Sequence, residues 1–132
     1  MRTPIQTLAA ICLAAAPALA QDAEAGRALY LEFCATCHGL EARGDGVMAE
    51  VLTIAPPDLT GLAGGGAFPT LQVAQQVDGR HPLLAHGGDM PLFGRWFEGD
   101  GADVALAGPG GQPILMGRPI ADLITYLMEI QR

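Results

Sequence analysis

Three residue types are missing from the 132-residue chain altogether: lysine, serine and asparagine. Without serine there is no Ser-His-Asp hydrolase. Without lysine the Gly-x-x-x-x-Gly-Lys loop that cradles phosphate cannot be built. Positive charge is scarce, with seven arginines against fourteen acidic residues and a formal charge of −7. Nucleic acid is therefore excluded as a partner, because binding it requires basic groups to neutralise phosphates. A basic surface on a partner protein is the fitting complement, and the field would speed encounter in a salt-dependent way. Long apolar runs are also lacking, with one exception at the start of the chain.

That exception, residues 5–19, follows the positive Arg2 and ends at Ala18-Leu19-Ala20. A basic start, an apolar stretch and a small-x-small site together form an export signal. The run falls short of the roughly 20 apolar residues that span a bilayer, so residues 1–20 are read as a cleavable signal peptide and not as an anchor. Cys12 is preceded by the bulky Ile11, where a lipoprotein signal has a small residue, and is read as leaving with the signal. The mature chain, residues 21–132, then carries six arginines and the same fourteen acids, a formal charge of −8. Its 112 residues suffice for one small domain. The location implied is the periplasm, with no membrane insertion after cleavage.

Two cysteines remain, both in Cys34-Ala35-Thr36-Cys37-His38. An exported Cys pair ordinarily suggests a disulfide, but thiols three residues apart followed at once by an imidazole have the spacing of c-type haem attachment. Each thiol can form a thioether to one vinyl group, and His38 can approach the iron. A zinc site from Cys34, Cys37, His81 and His86 would need a spacer far longer than the usual one and would leave His38 unused.

The flanks are helical. Asp22 is a candidate N-cap, and Gly26, Leu29, Tyr30, Phe33 and Cys37 recur on one side of a first helix that Gly39 ends. Residues 46–52 suggest a short helix before Pro56-Pro57, and residues 70–77 a better one, with Leu71, Ala74 and Val77 on one face and Gly79 as stop. Pro119 is suited to a helix start, and Ile120, Leu123, Ile124, Leu127 and Ile130 form the stripe of a terminal helix. Residues 56–60 are extended, since a residue before proline avoids the helical region. Gly64-Gly65-Gly66 reads as a turn. No alternating strands and no repeat are evident. The 18 glycines and 10 prolines fit long loops wrapped around something rigid.

On the Cys34–His38 motif, the two terminal helices and Met90-Pro91, the chain resembles the class I monohaem cytochromes c. The resemblance implies a small all-α cytochrome c fold, with N- and C-terminal helices crossing and long loops around one covalent haem c. Gly26 and Tyr126 match the glycine and aromatic at that crossing. Cys34 and Cys37 would be the covalent tethers and His38 the proximal iron ligand, its ring N–H held by the carbonyl of Pro56 or Pro57. In the family the distal Met commonly precedes Pro in a loop, which favours Met90. Met116, close before the terminal helix as in short members, is the alternative. Met48, only ten residues beyond His38, and Met128, inside the terminal helix, are read as packing. His81 or His86 in the sixth position would give a haem of lower potential, whereas a thioether raises it and suits a carrier.

Arg80 is a candidate partner for a haem propionate, and Phe93, Trp96 and Phe97 are expected to cover haem or core. Residues 98–118 form a Gly- and Asp-rich loop insertion that minimal members lack. The function implied is a periplasmic one-electron carrier with no substrate turnover of its own. Two alternatives carry the same motif: a cytochrome subunit bound permanently to one oxidoreductase, and a haem-based sensor with a labile sixth site.

Overall fold

Asp22 sets the start of the first helix, α1 (Ala23–Phe33), by accepting the main-chain N–H groups of Glu24 at 2.9 Å and Ala25 at 3.1 Å. These are two of the donors that a helix start leaves unpaired. The computed structural model describes residues 21–79 and 88–132. A break at Cys34 separates α1 from a single further turn, α2 (Ala35–His38). Next come a 3-10 turn (Leu59–Gly61), α3 (Thr70–Asp78), the strands β1 (Asp103–Ala107) and β2 (Pro113–Gly117), and α4 (Arg118–Glu129).

The core lies where α1 meets α4. Ile120, Leu123, Ile124 and Leu127 are each at most 3% exposed, and burial of such a side chain contributes roughly 1.5–3 kcal/mol. The helices approach closely at Gly26, where an added Cβ would overlap the Asp122 carbonyl. The Asp122 side chain fixes the same crossing by accepting the Asp22 N–H at 2.8 Å. Tyr126 meets Tyr30, one turn beyond Gly26, with ring centroids 5.4 Å apart. The nearest neighbours of Gly26 itself are main-chain atoms of Asp122 and Leu123. Gly26→Ala should destabilise the fold by about 3 kcal/mol, the upper end of ordinary overpacking, because the obstacle is backbone and cannot rotate away. A thermal or denaturant melt checks this.

α3 forms as expected, and Gly79 ends it in a left-handed conformation, φ +83°. Its buried face carries Thr70, Ala74 and Val77, while Leu71 is left largely exposed. Residues 46–52 are not helical. Their bonds reach only three residues back (Ala49 N–H to Gly46, Val51 N–H to Met48), and the Met48 N–H is spent on the Thr36 carbonyl.

The all-α expectation also needs correction. Residues 98–118, read as loop, contain the antiparallel pair β1–β2, with Val104 opposite Met116 and Leu106 opposite Ile114. Those pairs face inward, and Ala105, Ala107, Pro113 and Leu115 face out. Apolar residues on both faces erase the alternation by which a half-buried strand is recognised.

Candidate haem site

The Cys34–His38 turn is held by a nearly complete set of main-chain bonds. The Cys34 carbonyl accepts from Cys37 and His38, that of Ala35 from Gly39, Thr36 from Met48, Cys37 from Gly46, and His38 from Gly44 at 2.8 Å. The Gly39 carbonyl accepts the Tyr30 hydroxyl at 2.6 Å. The loop after the motif therefore curls back over it, which requires Gly44: its φ is +82°, and a Cβ there would overlap the Pro56 carbonyl.

Tyr30 is fully buried. Burial first, then the neighbouring Cys34, Tyr126 and Asp45, raise its pKa far above the ordinary phenol value, so it stays a donor. Its place on the apolar stripe was legible; its hydroxyl's role was not, although a buried tyrosine generally needs a partner. Tyr30→Phe leaves the Gly39 carbonyl with the Ala42 N–H at 3.2 Å as its donor and should cost about 0.5–1.5 kcal/mol, read as a lower melting temperature.

Cys34 and Cys37 are free thiols, not a disulfide. Burial, and secondarily Cys37, push the Cys34 thiol up to about 11, so it is neutral near pH 7. His38 is 7% exposed. Burial lowers its pKa, partly offset by the bond to Pro57. His38 Nδ1 lies 3.1 Å from the Pro57 carbonyl oxygen. A carbonyl has no proton to give, so Nδ1 carries it and Nε2 keeps a free lone pair. Of the two prolines left open by the sequence, Pro57 makes this contact. Two thiols one turn apart, beside a neutral imidazole whose Nε2 is free, are a donor set that fits a covalent haem.

Pro57 is itself fixed. The Leu59 N–H donates to the Ala42 carbonyl at 2.8 Å. Asp58 Oδ1 accepts the Thr60 N–H at 2.8 Å and the Thr60 hydroxyl at 2.6 Å. Those bonds, with Arg132 and Arg43 adding to them, lower the Asp58 pKa. No sequence pattern pointed to Asp58, Thr60 or Arg132.

The methionines differ in setting. Met90 is half-buried and packs against the core. Met116 is 2% exposed in β2 and shares a cleft with Leu71, Ala74 and Ile120, residues of α3 and α4 and not of the motif. Met48 is 41% exposed, and Met128 packs against the core. Phe97 is buried and stacks on Phe93 at 5.6 Å, with Phe33 edge-on at 5.3 Å. Trp96 is 71% exposed. Its ring meets that of Phe93 edge-on, with centroids 6.5 Å apart. Arg80, His81 and His86 lie outside the described residues, as do residues 1–20.

A family model described as Cytochrome c matches residues 23–131. Proteins of that family bind covalent haem c, typically one in a single-domain chain, and carry electrons. No curated protein and no solved structure matches the chain.

Proposed function

Because the chain belongs to the cytochrome c family, we propose that it is an exported, periplasmic one-electron carrier with His38 and Met90 as its iron ligands. Cys34 and Cys37 would tether one haem c through thioethers, and His38 Nε2 would bind its iron. The observation that carries this reading is the His38 Nδ1–H donated to Pro57, which leaves Nε2 as the only ring nitrogen able to bind a metal. When bound, the haem supplies an Fe(III)/Fe(II) couple that accepts and releases one electron.

The protein's residues do the rest. The Pro57 carbonyl fixes the tautomer of His38 and raises its basicity. The glycine-bearing loop after the motif holds the Cys34–His38 turn in place. Met116 is committed to packing between β2, α3 and α4, which supports Met90 as the distal thioether. Met90 is in the loop followed by proline. The chain turns over no substrate of its own.

Residues 1–20 direct export and are removed. No helix among the described residues is long and apolar enough to cross a membrane. The acidic surface suits a redox partner with a basic docking face. Size-exclusion chromatography and co-purification from the native source test the carrier reading. A freely migrating holoprotein is expected. Persistent comigration with an oxidoreductase would make it a dedicated subunit instead.

A further inference from the structure

The last two residues of the chain make an unusual number of bonds to one short segment. Arg132 donates its main-chain N–H to the Thr60 carbonyl at 3.1 Å, Nε to the Thr60 hydroxyl at 2.6 Å and Nη2 to Asp58 Oδ2 at 2.9 Å. Gln131 donates Nε2 to the carbonyls of Leu59 at 2.8 Å and Leu127 at 2.7 Å, and its Oε1 accepts the Ala63 N–H at 2.9 Å. All but the Leu127 bond and a long main-chain bond from the Gln131 N–H to the Met128 carbonyl at 3.5 Å fall on residues 58–63, directly after Pro57. Leu127 belongs to α4, so Gln131 couples that helix to the same segment.

We infer that Gln131 and Arg132 are positioning residues for the iron ligand: they clamp the 58–63 segment so that the Pro57 carbonyl stays on His38 Nδ1. The inference rests on the reading of His38 as the proximal ligand. The mechanical path is short. Arg132 holds Asp58 and Thr60, Gln131 holds Leu59, and the peptide before Asp58 carries the carbonyl that His38 uses. The Ala42–Leu59 bond fixes the segment to the motif loop, and the clamp fixes it to α4.

A bond from Nδ1–H to a carbonyl gives the imidazole more anionic character and makes it a stronger donor, which favours Fe(III) and holds the reduction potential down. Slackening the clamp should therefore raise the potential. A purely structural role predicts something else. The Arg132 and Asp58 side chains are 54% and 45% exposed, and exposed ion pairs contribute little to stability. An effect on potential larger than the effect on melting would thus separate positioning from simple support.

The test uses the holoprotein with Arg132→Ala, and Gln131→Ala with it, beside Arg43→Ala as a control. Arg43 carries the same charge and, like Arg132, adds to the field at Asp58, but among the described residues its side chain pairs with the exposed Glu41 at 3.2 Å and not with residues 58–63, so it separates charge from the clamp's bonds. Redox titration should show the midpoint shifted upward in the Arg132 variant, further in the double variant, and nearly unmoved in the control. In the reduced protein, NMR should show the His38 ring N–H exchanging with solvent several-fold faster in the clamp variants. Thr60→Val, which removes the Nε acceptor from the other side, should do the same and keeps the test readable if the arginine variant folds poorly. A wild-type potential together with unchanged N–H exchange in Arg132→Ala and Thr60→Val would overturn the clamp. A wild-type His38 ring signal without any haem-induced shift would overturn the ligand reading beneath it.

Discussion

Replacing Cys34 and Cys37 together by alanine is expected to abolish covalent haem entirely. Haem-stained bands on denaturing gels should vanish, because the only other cysteine, Cys12, lies in residues 1–20, which are proposed to be removed. The two positions are not interchangeable with other thiol placements. α2 is a single turn whose carbonyls are all engaged, so the pair is presented at a fixed spacing. Each single variant retains one tether and should keep a weakened stain. The double variant should also melt at lower temperature, since a group bound only by the native state stabilises it by mass action. A full-strength stained band in the double variant would show that the attachment lies elsewhere.

The second large effect concerns the sixth iron position. Met90→Ala should remove the thioether-to-Fe(III) absorption near the red end of the spectrum and lower the reduction potential, since a thioether ligand raises it. Met116→Ala should leave that band intact. It should instead cost about 2–5 kcal/mol of stability, the ordinary range for truncating a buried methionine, because Met116 is 2% exposed and packed beside Ala74 and Ile120. The pair therefore separates by readout, one variant spectroscopic and the other thermal. The reverse pattern would reassign the distal ligand to Met116.

What was legible in the chain follows from what kind of constraint acts on each part. The Cys34–His38 motif stands out because covalent haem attachment would fix the spacing of its residues. α1 and α4 stand out because each buries one side against the other, and Asp22 because a helix start needs an acceptor. The hairpin was hidden by its composition: Ala105, Ala107, Pro113 and Leu115 face out but are not polar. The pattern of residues 46–52 suits a helix, but the Met48 N–H bonds the Thr36 carbonyl instead, a choice made by tertiary contact. The choice of Pro57 over Pro56, and the bonds of Gln131 and Arg132 to partners 68–74 residues away, depend on how the ends of the chain meet. No local pattern encodes that meeting.

A six-coordinate haem that carries one electron is the proposed working form. Its most direct test is a potentiometric titration of the purified holoprotein followed by exposure of the reduced form to carbon monoxide. A single reversible one-electron transition is expected, with a reduced spectrum that carbon monoxide leaves unchanged. Rapid carbon monoxide binding to the reduced protein would contradict it, and would identify an open sixth site suited to sensing a ligand.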